Sequence, residues 1–236
     1  MRRTDRTINQ VLDDFLSVQR DRVKHSTAKR YEGVLDYFRS CMDGYGHQWL
    51  SERESELFER QFNRDEEAGS FCNLFGPEKI LENLDEFVGW FLVRKTMASK
   101  STLEATPAVL RKLVKWLVEE GHVSPDAADG SAELLAEASS LPTAEEFSSR
   151  LNDLSESDLP EPRIEDQDWV DEMALVTRVD HKTIWLQNEE TGYEVPLRVP
   201  EDVANLAEPG WRISALHIAR TAKGWHLLEM GNVYPI

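Results

Sequence analysis

Apolar residues recur at helical spacing through the first half of the chain, in stripes that cover residues 8–16, 31–42, 80–91 and 109–117. Neighbours three and four positions apart predict amphipathic helices that pack through their apolar faces. Thr7 is placed to cap the first helix, and Ser26 or Thr27 to cap the second. Pro77 fits the first position of the third helix.

Two features interrupt this pattern. Residues 48–68 are highly charged with few apolar positions, which predicts a helix on the surface. Pro107 stands where the fourth helix should already have begun. Because proline is disfavoured inside a helix, that helix is expected either to kink or to begin late with Thr106 as its cap.

The remainder of the chain changes character twice. Residues 124–168 are rich in Ala, Ser and acid and predict short helices, followed by an exposed linker, SESDLPEPRIEDQD (155–168). After residue 168 the period becomes that of strands separated by turns such as VDHK and NEETG, with a short helix in PEDVANLAEPGW. The predicted strands cover residues 170–179, 183–187, 193–199, 213–219 and 225–230.

These elements predict an α+β protein. An all-helical domain built from helical hairpins occupies residues 1–124, and an acidic helical and linker segment occupies residues 125–168. Residues 169–236 are expected to form a small β-barrel domain, either SH3-like or OB-like.

Charge is distributed unevenly along this architecture. The formal net charge is −17, yet residues 1–123 hold 19 basic and 21 acidic residues, whereas residues 124–168 hold 2 and 13. A chain this acidic is not a general binder of polyanions, because phosphate is repelled. The nearly neutral first part can still carry a local basic surface.

Several classes of site are not indicated. Cys41 and Cys72 lack metal-ligand spacing and are expected to be reduced thiols in apolar helix faces. No glycine-rich phosphate loop, zinc set or calcium loop appears, so no cofactor or metal is expected. The longest apolar run, FVGWFLV (87–93), is too short to span a membrane, and MRRTDRTINQ lacks a signal core. We expect a cytoplasmic protein without a membrane partner.

Two stretches carry a resemblance to a known family. They are FLSVQRDRVKHSTAKRYEGVLDYF (15–38) and LDEFVGWFLVRKTMASKSTLEATPAVLRKLVKWLVEEGHVS (84–124). Together they resemble the SAM-like, core-binding domain of tyrosine recombinases of the phage-integrase type, over about residues 7–124. The resemblance implies two helical hairpins that grip DNA as half of a C-shaped clamp.

The catalytic half of such a recombinase is not found. HIAR (217–220) followed by Tyr234 has the order of the family's His-x-x-Arg box and tyrosine, but it falls in a predicted strand, without the helical domain that supplies the other catalytic residues. We therefore expect no enzymatic activity and assign no catalytic residue.

Basic residues of the first part concentrate at two joints between helices. In the family, such residues contact phosphates, and hydroxyls at helix N-termini can also donate to them. An ordinary solvated surface is the other interpretation. The candidate DNA-binding residues are Arg22, Lys24, Ser26, Thr27, Lys29, Arg30, Lys95, Lys100, Arg111, Lys112 and Lys115.

The leading hypothesis is therefore a non-catalytic DNA-binding or nucleoprotein accessory protein, with DNA bound by the helical domain and a protein partner by the barrel. The alternative is an interaction or scaffold protein that keeps the helical fold without contacting DNA. Most of the seven tryptophans are expected in the cores.

Overall fold

The computed structural model describes residues 6–66, 68–96, 98–155 and 163–235. It is an α+β protein with helices first and a six-stranded sheet last. The chain divides into two compact units, Met1–Ser139 and Ser140–Ile236. None of the described helices is long and apolar enough to cross a membrane.

The first unit is helical throughout. Its α-helices are α1 Ile8–Arg20, α2 His25–Tyr45, α3 Glu52–Phe62, α4 Phe71–Leu74, α5 Glu78–Glu82, α6 Leu92–Arg94, α7 Lys100–Glu119, α8 Pro125–Ala128 and α9 Ser131–Glu137. Short 3₁₀ helices cover Gly46–Trp49 and Ala138–Ser140, and a π-helical turn covers Glu86–Phe91.

The predicted apolar stripe of α1 is confirmed. Ile8 through Leu16 bury the expected face, and Thr7 forms a capping box with Gln10. The cap predicted for α2 is wrong. Lys24 is the N-cap residue, without a side-chain hydrogen bond, and Ser26 and Thr27 already lie in the first helical turn. Lysine has no acceptor atom, so the start of α2 lacks a side-chain cap.

The third predicted helix is broken. It begins after Pro77, but α5 ends at Glu82, and the Asn83 side chain donates to the Lys79 carbonyl oxygen at 2.8 Å. The chain then enters the π-helical turn, which directs Phe87, Val88 and Phe91 into the core. A π-helical turn contains one more residue than an α-helical turn, so the positions that face the core after it differ from those of a continuous α-helix.

Proline does not delay α7. The helix begins at Lys100, where the Ser99 hydroxyl accepts from the Thr102 amide at 3.2 Å, and Pro107 lies inside it. The late start with Thr106 as cap is therefore wrong. Thr106 instead donates its hydroxyl proton to the Thr102 carbonyl oxygen at 2.9 Å. The predicted surface helix is confirmed as α3, which has no buried residue.

The second unit begins with a helix that packs on the sheet. The elements are α10 Leu141–Ser155, β1 Arg163–Asp180, β2 Thr183–Asn188, β3 Glu194–Arg198, α11 Glu201–Ala204, β4 Arg212–Thr221, β5 Gly224–Glu229 and β6 Val233–Tyr234. The predicted strands are thus present, and β6 is additional.

The strand order is β1-β2-β3-β5-β4-β6, with a further pairing of β1 to β4. The first five strands therefore form a ring of pairings. The ring is closed by a single parallel residue pair, Leu197 with Trp225. The structure is a strongly curled six-stranded sheet rather than a clear barrel.

The compact units do not follow the three predicted segments. Phe147 and Leu151 of α10 are fully buried in the same core as the sheet residues Ile184 and Leu186. β1 begins at Arg163, so residues 163–168 form a strand where a linker was predicted. The rest of that predicted linker, residues 156–162, lies outside the described residues.

Phe147 provides a test of this division. Its ring is fully buried and lies 5.9 Å from the Trp211 ring. We expect Phe147→Ala to reduce the free energy of unfolding of the second unit by about 3–5 kcal/mol. Urea unfolding followed by circular dichroism measures this. Glu145→Ala, at an exposed position of the same helix, is the control, and an equal effect of both changes would exclude α10 from the core.

Candidate nucleic-acid interface

The loop between α1 and α2, with the first turns of α2, carries a run of cations. Residues 22–30 (RVKHSTAKR) contain four Arg and Lys and no acidic residue. Arg22, Lys24, Lys29 and Arg30 are all exposed, and none forms an ion pair with a described residue. We call these four residues the α2 basic cluster.

Neighbouring cations of the first unit are neutralised. Arg20 contacts Glu32 at 2.9 Å, and Arg39 contacts Asp13 at 2.5 Å. Lys79 lies between two carboxylates, with Glu82 at 2.7 Å. The α2 basic cluster differs from these three cations in lacking carboxylate partners.

The backbone at the same place also presents donors. The first amides bonded within α2 are those of Thr27 and Ala28, both to the Lys24 carbonyl oxygen. The amides of His25 and Ser26 have no acceptor among the described residues. The positive end of a helix dipole beside cations disfavours the helix but attracts an anion such as phosphate. The exposed Ser26 hydroxyl is a further donor here, whereas Thr27 is half-buried.

Packing brings part of α7 to this cluster. The Lys112 ammonium lies 3.4 Å from the Tyr31 hydroxyl and 5.6 Å from the centre of its ring. Tyr31 stacks on Phe15, whose ring also contacts Trp116. Lys112 is thereby held beside Tyr31, the residue that follows Arg30 in α2. Lys115, one turn further along α7, is exposed and lies 3.6 Å from Glu119.

The second predicted joint lies elsewhere. The Lys95 ammonium lies 5.3 Å from the centre of the Trp90 ring, which contacts Tyr45. Tyr45 follows Tyr31 by fourteen residues on α2, about 21 Å along the helix axis. Lys100 is exposed at the start of α7. The predicted residues thus form two separate groups rather than one continuous surface.

Arg111 has a structural role that the sequence did not indicate. Its guanidinium donates to the Leu135 carbonyl oxygen at 2.6 Å and to the Ser139 hydroxyl at 2.8 Å. It thereby supplies a hydrogen-bond donor to a carbonyl group in the last turn of α9. These contacts leave Arg111 less able to bind phosphate than Lys112 or Lys115.

The residues of the HIAR stretch do not assemble with Tyr234. His217 contacts Asp168 at 2.8 Å, and the Arg220 guanidinium lies over the Trp225 ring at 5.3 Å. Tyr234 pairs in the sheet with Arg212, five residues from His217 and therefore about 17 Å along the strand.

Sequence reasoning missed one aromatic and cationic pair in the sheet. The Arg178 guanidinium lies 4.1 Å from the centre of the half-buried Trp185 ring. The two residues are opposite each other in the β1–β2 hairpin. The VDHK turn signal could have found them, because positions equidistant from a tight turn face each other across the strands. Of the expected core tryptophans, Trp116 and Trp211 are buried, while Trp90, Trp169, Trp185 and Trp225 are half-buried.

Two clefts of the first unit have unsuitable charge for phosphate. The larger, of about 570 Å³, is lined by Glu78, Glu82 and Asp85 beside His122. The other, of about 490 Å³, has Arg111 and Lys115 balanced by Glu119 and Asp129. Carboxylates at these positions oppose the binding of an anion.

The cysteines are buried, as predicted. Both are fully inaccessible and free. Burial raises the pKa of Cys41 to about 12 and raises that of Cys72 further. In the part of the chain that the structure describes, no group of three or more His, Cys, Asp or Glu is placed to hold a metal ion.

The chain was compared with protein-family models, with curated proteins and with solved structures, and none of the three comparisons found a match. The site is therefore interpreted from its own geometry.

The thiols give a direct test of the core of the first unit. Reactivity requires the thiolate, and both the raised pKa and burial suppress it. At mildly alkaline pH, the folded protein should react with a thiol reagent at least about a thousandfold more slowly than the urea-unfolded protein. Rapid labelling of either thiol in the folded protein, followed by mass spectrometry, would contradict the packing around α2 and α4.

Proposed function

We propose that this protein binds nucleic acid through its helical unit, by phosphate contacts rather than by reading bases. The observation that carries the proposal is the α2 basic cluster. Four exposed cations without carboxylate partners occupy nine residues of a chain whose net charge is −17. By contrast, Arg20, Arg39 and Lys79 of the same unit each contact a carboxylate.

The cluster combines three kinds of phosphate ligand. Arg22, Lys24, Lys29 and Arg30 supply charge, the start of α2 supplies free amides, and Ser26 supplies a hydroxyl. Lys112 adds a further cation, held in place by Tyr31. The resemblance of residues 7–124 to the core-binding domain of tyrosine recombinases supports DNA as the nucleic acid.

The same geometry favours weak and non-specific binding. Among the described helices of the first unit, none shows a set of Arg, Asn or Gln along one face that would contact base edges. Phosphate contacts give affinity that falls steeply with salt, because each one releases condensed counterions. We propose a nucleoprotein accessory role in which the sequence specificity comes from another component.

A titration of labelled duplex DNA with the full chain tests this proposal. Fluorescence anisotropy at low salt should show binding, with a log–log salt slope of about 0.9 for each phosphate contacted. Changing Lys29 and Arg30 together to alanine should lower that slope by about 2 and weaken binding. Neither residue lies on the buried face of α2, so the helix should remain folded.

Arg60 and Arg64 provide the matched control. Both are exposed arginines of the same unit, in or just after α3. Changing them together to alanine removes the same charge and should leave the slope nearly unchanged. Equal effects of the two double variants would show a general charge effect. Absence of binding by the folded protein would favour the scaffold alternative.

A further inference from the structure

One strand of the second unit has an edge that no other described strand covers. β1 pairs with β4 from Arg163 to Leu175, but with β2 only from Ala174 onward. Residues 163–173 therefore have one strand neighbour among the described strands. Unpaired strand edges present backbone donors and acceptors that can bind another strand.

Backbone hydrogen bonds show which groups point to this edge. Val176 donates to the Trp211 carbonyl oxygen at 2.8 Å and accepts from the Gly210 amide at 2.7 Å, so its polar groups face the β4 side. Direction alternates along a strand. The backbone groups of Met173 therefore point away from β4.

The alternation changes phase just before Met173, because Asp171 and Ala174 are both buried, Glu172 and Met173 are both exposed, and Ala215 of β4 has a φ of 48°. As at Val176, a buried side chain goes with polar groups on the β4 side, so the backbone groups of the exposed Val170 point away from β4.

The opposite strand agrees with the direction at Met173. Ser214, the partner of Met173, makes its backbone hydrogen bonds to Asn232 and Gly231 on its other side. At the free edge, the Met173 amide donates to the Asp171 carboxylate at 3.0 Å. No described strand lies beside Val170 on the side away from β4.

The side chains along this edge are unusually exposed for apolar residues. Val170 is 66% exposed, and Ile164 and Met173 are each 37% exposed. The second carboxylate oxygen of Asp171 is buried, and no described group donates to it. Free backbone groups, exposed apolar side chains and an unsatisfied carboxylate oxygen thus lie within one short stretch.

We propose that this edge binds an extended basic peptide segment of a partner protein by strand addition. Charge selects the occupant, because residues 165–172 (EDQDWVDE) contain five acidic residues and no Arg or Lys. A second copy of the same edge would place acids opposite acids, which is destabilising. In an alternating peptide, all basic side chains lie on one face and all apolar side chains on the other. The basic side chains match the exposed face that carries Glu172, and the apolar ones match the opposite face, where Trp169 packs against the core.

His217 of the neighbouring strand β4 contacts Asp168 at 2.8 Å. The acidic residues also serve the protein alone, since charge on an edge strand discourages self-association. The same residues thereby admit a basic strand and exclude an acidic one. This interaction does not depend on the proposed binding of nucleic acid.

The test uses the full chain and a short acetylated peptide of alternating arginine and valine. The peptide should bind, and hydrogen exchange should show new protection at the amide of Val170. The Asp171 amide faces β4 and should be protected already. A peptide N-methylated at alternate amides keeps its charge and apolar surface, and it should bind at least about tenfold more weakly.

Protein variants complete the design. Glu172→Lys should weaken binding of the peptide several-fold, whereas Glu208→Lys, at an exposed position of the same unit, should not. Equal binding of the N-methylated peptide would overturn strand addition, even if a variant failed to fold. Tighter binding of a glutamate–valine peptide, or a dimer of the chain that excludes the peptide, would overturn the choice of a basic partner.

Discussion

The packing of Phe15 against Tyr31 and Trp116 is the contact on which the candidate interface depends. It joins α1, α2 and α7 at one point, with ring centres 6.2 and 5.6 Å apart. Tyr31 in turn holds Lys112 beside the start of α2. Without this aromatic contact, the cations of α2 and α7 would belong to separate surfaces. The core residue Phe15 therefore determines which basic side chains lie close enough together to contact the same nucleic-acid backbone.

Concentrating cations at the start of α2 works against stability. Positive charge at a helix N-terminus opposes the dipole by about 0.3–1 kcal/mol per residue, and the missing side-chain cap of Lys24 adds to this. The rest of α2 offsets the cost, because Val34, Leu35 and Phe38 are fully buried. A sequence that tolerates such a start, while it caps α1 and α7 with Thr7 and Ser99, is consistent with a ligand-binding use of that end.

The sequence predicted the elements better than the boundaries between them. Apolar stripes identified α1 and α2 because each helix buries one face, and alternation identified the strands for the same reason. The break at Asn83 depends on a side-chain hydrogen bond and a π-helical turn, which no stripe records. Likewise, Phe147 was seen as helical, but its partner Trp211 is distant in sequence. The role of Arg111 and the free edge of β1 also follow from tertiary contacts alone.

The net charge of −17 does not decide what this protein binds. Exposed charges separated by more than about 10 Å are largely screened at moderate salt, so a ligand responds to the nearest few residues. Residues 22–30 hold four Arg and Lys and no acid, and residues 165–172 hold five acids and no Arg or Lys. The two proposed surfaces thus have opposite charge preferences, for a polyanion at the helical unit and for a basic strand at the sheet. A protein with both surfaces suits an assembly in which the same chain binds a basic partner and a nucleic acid. Each surface keeps its own sign of charge, because the two consist of different residues.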